Sequence, residues 1–207
     1  MDVIIERSAS GFGKFDRTGL CYLPNCVDED DAVFKKQWPA FLLAFVLPVV
    51  LVYGWWGGFR SASVTQAEAG PYRYAYLDYE GPISGMRKTH KAVLQAFAKS
   101  RVREGDTLTV LLSDPRGQSG KVRAQVGYTL AADAALPQGL KEGVIARRAV
   151  LVASVHAAIL LAPSKAYQAL YEHLQVKGND IKMPTVEIYR PADTVSQVGI
   201  FTLEMNR

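Results

Sequence analysis

Between Gln37 and Arg60 the chain has no charged side chain: WPAFLLAFVLPVVLVYGWWGGF. About 20 apolar residues in succession are what a helix needs to cross roughly 30 Å of hydrocarbon. A core helix of a soluble protein keeps a polar stripe, and this run has none. Trp38 stands at one end, and Tyr53, Trp55 and Trp56 stand at the other. Aromatic rings with one polar edge favour the two membrane interfaces. Pro48 inside the run is tolerated in lipid better than in water. A cleaved leader would open with a few basic residues, whereas a long segment precedes this run. The sequence therefore predicts a transmembrane helix over residues 38–59. Lys35 and Lys36 precede it and Arg60 follows, so the positive-inside rule favours a cytoplasmic tail and the larger domain on the outer side.

The rest of this 207-residue chain has room for one domain with its own core. Hydrophobic residues at 49% and charged residues at 21% are ordinary globular values. The net charge of +4 comes with no Lys/Arg run longer than two, so composition gives no nucleic-acid footprint. Both cysteines, Cys21 and Cys26, lie ahead of the apolar run, which excludes a disulfide framework from the larger domain. CYLPNC has no second Cys/His pair nearby, and no metal site is expected.

Residues 1–37, with GFGKFDRTG and VDEDDA, read as an irregular tail. Residues 60–70, RSASVTQAEAG, are small and polar and read as a linker. From Pro71 the pattern changes. Residues 72–79 alternate and are rich in tyrosine, which predicts a strand stopped by Gly81-Pro82. Ile83, Met86, Val93, Leu94 and Phe97 fall on one helical face across residues 83–100. Two strands follow, over 107–112 and 122–130. After a connection at 131–147 the order recurs. A strand covers 148–156, and a helix over 163–175 carries Ala166, Tyr167, Leu170, Tyr171 and Leu174 on one face. Strands over 185–189 and 198–205 complete it. The expected fold is α+β: duplicated β-α-β-β modules with pseudo-twofold symmetry, preceded by one transmembrane helix. The helices should cover one sheet face and leave a concave opposite face for a ligand.

Three stretches carry a family resemblance. They are YLDYEGP at 76–82, LLSDPRG at 111–117 with KVRAQVGYTL at 121–130, and PTVEIYRP at 184–191. Their order resembles the GyrI-like small-molecule-binding domain, over residues 71–207. That fold also serves as the effector domain of multidrug-responsive transcription regulators. The resemblance implies binding of a small amphipathic or cationic molecule. SOUL-type haem proteins share the doubled plan, and KGNDIKMPTV resembles one of their segments. No apolar slot is legible around His90, His156 or His173, so no cofactor is expected.

In TVEIY, Val186 and Ile188 point one way and Glu187 and Tyr189 the other. The apolar pair is expected to face the helices, which leaves Glu187 and Tyr189 on the concave face. A carboxylate among aromatic rings suits a flat cation, and the resemblance implies this role for Glu187. Tyr74 and Tyr76, alternating with Tyr72, are candidates for the same wall. Ser154 and His156 share a face without a carboxylate to orient them, and no catalytic residue is assigned. Three functions follow: a membrane-anchored binding or sensing module without its own DNA-binding domain, a hydrolase of electrophilic small molecules on the same pocket, and a tethered scaffold for a protein partner.

Overall fold

The computed structural model describes residues 28–114, 120–192 and 198–207. Cys21 and Cys26, most of the DPRG turn and residues 193–197 lie outside the described residues. The chain divides into two compact units, Met1–Pro48 and Val49–Arg207. Helix α1 spans Asp28–Trp55. It begins ahead of the apolar run, so the last part of the expected irregular tail is helical. The stretch Trp38–Trp55 of α1 has a mean hydropathy of 1.9 and none of it is buried in the protein. By length and composition it can cross a membrane.

Within Val49–Arg207 the strands are β1 (Ser63–Ala69), β2 (Tyr72–Gly81), β3 (Thr107–Leu111), β4 (Val122–Thr129), β5 (Lys141–Ile145), β6 (Arg148–Ala158), β7 (Thr185–Pro191) and β8 (Val198–Asn206). Helices α2 (Met86–Ser100) and α3 (Ala162–Gln175) complete the unit, and a single 3-10 turn at Ile83–Gly85 leads into α2. The strands form one sheet in the order β1-β6-β8-β7-β3-β4-β2-β5, with every neighbour antiparallel. That order reads the same from either end if β1 to β4 are exchanged for β5 to β8. The pseudo-twofold axis therefore passes between β3 and β7.

Two expectations change here. The supposed linker contains β1, which pairs with β6 along its whole length, and the connection 131–147 contains β5. Both are edge strands with mostly exposed side chains, so neither shows the apolar alternation that marks a strand in sequence. Each β-α-β-β module is thus preceded by a strand that pairs into the other module. β1 and β2 run as one ribbon against β5 and β6. Pairing runs from Ser63↔Ser154 to Ala69↔Arg148 and resumes at Tyr72↔Ile145 in the same register. Gly70 and Pro71 make the kink between them. Gly70 has φ +91, and a β-carbon there would come within 3.0 Å of the Ala146 carbonyl oxygen.

This ribbon joins the two ends of the sheet, so the sheet curls. Tyr72 on β2 donates its hydroxyl to Glu204 Oε1 on β8 at 2.7 Å, although three strands separate β2 from β8 in the sheet. α2 packs on β2 and β4, and α3 packs on β1, β6 and β8. Val93 and Phe97 lie fully buried beneath α2, and Ala166 and Leu170 beneath α3. Ile83, Leu94 and Tyr171, placed on the inward faces by periodicity, are exposed. A third buried cluster, Tyr74, Leu108, Val110, Val186 and Ile188, fills the inside of the curl on the other face.

Candidate ligand-binding site

β3 and β7 lie side by side at the centre of the sheet, with Thr109 opposite Glu187. The helices pack on the strands to either side. Glu187 is on the helix-bearing face, in register with Leu203 of the core beneath α3. Burial brings Thr109 and Thr185 to its sides, and both are almost wholly enclosed. α3 sends Tyr167 across the gap. Its hydroxyl lies 3.2 Å from Thr185 Oγ1 and also donates to the Glu187 carboxyl. The wall beyond is apolar: Leu111, Ala124 and Val126, packed against Tyr79, Met86, Tyr167 and Met183. Methionine and tyrosine together make a polarisable surface that adapts to flat guests.

The electrostatics centre on Glu187. The residue keeps a partly open surface, yet protein crowds its carboxyl. Loss of solvation pushes its pKa up to about 7, and the hydrogen bond from Tyr167 pulls in the opposite direction. No basic side chain offsets its charge among the described residues. Tyr167 is itself raised above the usual phenol range, first by burial and then by the Glu187 charge beside it.

Glu187 and Tyr189 do share a face, but it is the helix-bearing one. Tyr189 packs partly buried against the core beneath α3. The expectation that Val186 and Ile188 turn toward the helices is reversed. They point into the curl, beside Tyr74 and with Tyr76 at the margin. Tyr74 and Tyr76 therefore lie across the sheet from Glu187. Their rings are 5.3 Å apart, and Tyr74 donates to Gln125 Oε1 at 2.6 Å. The physical reason is the curl. A flat sheet has one dry face, which apolar residues would turn toward the helices, whereas this one has two. The concave face expected opposite the helices is filled around Tyr74, Leu108, Val110 and Val186, and opens only beside Tyr72 and Ile188.

Helical spacing puts Tyr167 on the core face of α3 and strand alternation puts Thr185 on the side of Glu187, whereas nothing in the sequence singles out Thr109. The available signal was Thr185 with Glu187, two polar residues at period two in an otherwise apolar strand. The histidines do not converge. His90 lies beneath α2, edge-on to Tyr128 at 5.9 Å, and burial lowers its pKa. His156 contacts Arg60, and His173 lies 3.3 Å from Lys177. Among the described residues no three His, Cys, Asp or Glu side chains cluster as a metal site would require. A cavity of about 370 Å³ opens on the other face, between Tyr72, Asp106, Arg190 and Glu204. Its charges are already matched, Arg190 to Asp106 at 2.7 Å and Arg148 to Glu204 at 2.9 Å.

No protein-family model matches the sequence, and no curated protein does. Solved structures do share the fold. The C-terminal domain of EcmrR aligns with a TM-score of 0.56 at 11% identity, over 70% of this chain and 96% of that one. EcmrR in its complex with DNA aligns with a TM-score of 0.55 at 12% identity, over 85% of this chain and 69% of that one. SAV2435 bound to tetraphenylphosphonium aligns with a TM-score of 0.50 at 14% identity, over 69% of this chain and 92% of that one. The larger domain thus shares its fold with the C-terminal domain of EcmrR and with SAV2435.

Proposed function

We propose that this chain is a membrane-anchored binding or sensing module for small amphipathic cations. α1 holds it in the bilayer, with the tail cytoplasmic and the larger domain outside. The ligand lies between α2 and α3, its positive end on Glu187 and its rings against Tyr167, Tyr189, Met86 and Met183. The observation that carries this reading is a crowded carboxyl with no cationic partner among the described residues. Such a group is costly to ionise, and an incoming cation offsets that cost. The SAV2435 structure, which holds a lipophilic cation on the same fold, supports the ligand class.

The test uses tetraphenylphosphonium as probe and the detergent-solubilised chain at pH 8. Glu187→Gln keeps the shape and removes the charge. A charge-assisted contact contributes about 1.5–3 kcal/mol, so its affinity should fall roughly ten- to a hundredfold. A neutral tetraphenyl analogue should bind both forms alike. Equal affinity of wild type and variant for the cation would defeat the assignment. A second reading rests on the same carboxyl. With a pKa near neutrality and a phenol beside it, Glu187 suits a general base for hydrolysis of an electrophilic ester. Turnover lost in Glu187→Gln would favour the hydrolase, and binding without turnover favours the sensor.

A further inference from the structure

The chain that leaves α1 does not hang free of the domain. Ala158 N–H, at the end of β6, donates to the Trp56 carbonyl at 2.9 Å. Lys165 of α3 places its ammonium on the carbonyls of Gly58 and Arg60, at 2.6 and 2.8 Å. Gly57 has φ +76, and a β-carbon there would meet the His156 carbonyl oxygen at 2.7 Å. Only glycine lets the segment lie this close to β6. Trp55 and Trp56 end the apolar helix, so these bonds fix the β6–α3 turn at the level of its aromatic belt.

That turn is apolar and bare. Ile159 and Leu160 are 39% and 73% exposed, and Trp55 and Phe59, on the segment bonded to the end of β6, are 82% and 72% exposed. No acidic residue occurs between Tyr53 and Ala67 or between Arg147 and Gln168, and Arg60 and Lys165 line one hollow together with Glu172. An exposed apolar turn near two bases and one acid, bonded through Ala158 to the segment that carries Trp55 and Trp56, matches the chemistry of anionic headgroups over acyl chains. We propose that Ile159 and Leu160 insert into the interfacial layer of the membrane that α1 crosses. This gives the domain a second contact and fixes its orientation on the bilayer. The inference rests on the anchoring proposed above.

The test uses the full chain with Cys21 and Cys26 replaced by serine, in vesicles of phosphatidylcholine and phosphatidylglycerol. Leu160→Cys bears a polarity-sensitive fluorophore, and Ile159→Cys gives an independent second position. Val176→Cys is the control, an 87% exposed site at the other end of α3. Nitroxide lipids labelled near the headgroup should quench positions 159 and 160 severalfold more than 176, with blue-shifted emission. If the chain does not float with the vesicles, the anchoring and this contact fall together. If it floats and position 160 is quenched no more than 176, the contact alone falls. A blue shift without lipid quenching would mean a protein surface, such as a second copy of the chain, and also overturns it.

Discussion

Glu187 is the residue on which the functional reading turns, and its ionisation should be visible in the stability of the fold. Its carboxyl is raised from the ordinary value of 4.5 to about 7 in the folded chain. The folded state therefore holds its proton more tightly than the unfolded state. The resulting stabilisation is full below pH 4.5 and is lost as pH rises through about 7. Glu187→Gln, neutral at every pH, should match the wild type near pH 5 and exceed it at pH 8. A shift of this size corresponds to at most about 3 kcal/mol. Urea titrations of both forms at the two pH values measure it, and parallel pH dependences would show that the carboxyl titrates normally. The sequence made Glu187 legible because a carboxylate interrupts an apolar strand. Its face was not legible. Strand alternation fixes which residues share a side, but which side meets the helices depends on how the sheet curls.

At the scale of elements, the central strands and both helices were readable because each buries an apolar stripe. Phe97 and Leu170, at helical spacing, are fully enclosed. The edge strands were not readable, since SVTQAEA and KEGVI contribute backbone pairing more than side-chain burial. Where a soluble fragment should begin follows from this. A chain starting at Pro71 lacks β1 and leaves β6 with an unpaired edge, whereas one starting at Arg60 keeps the ladder from Ser63 to Ala69. Each lost hydrogen bond contributes about 0.5–1.5 kcal/mol, and Val64 also packs beneath α3. Residues 71–207 should be less stable than residues 60–207 by at least about 3 kcal/mol, as their urea midpoints will show. An exposed edge should also make the shorter fragment prone to aggregation.

For the whole molecule, the apolar stretch of α1 predicts that the chain stays with membranes through alkaline carbonate extraction. Arginine at both Val46 and Val49 should release it, because each costs roughly 2.5–3.5 kcal/mol near a helix centre. Recovery of the wild type in the supernatant would refute the span. The resemblance in sequence reached as far as the doubled plan, because order along the chain is all that a sequence displays. It could not show which strand pairs with which. In that pairing, each half completes the other: β5 closes the outer side of β2, and β1 closes the outer side of β6. The molecule is therefore organised as two protomers that a covalent bridge at residues 130–140 happens to join. Cutting the bridge should leave two pieces that are unfolded when apart and assemble into one cooperative domain when mixed. Regained circular dichroism at one-to-one stoichiometry is the signal. Folding of the intact chain should be slow for its size, because neither half can complete its sheet before the distant strand of the other arrives.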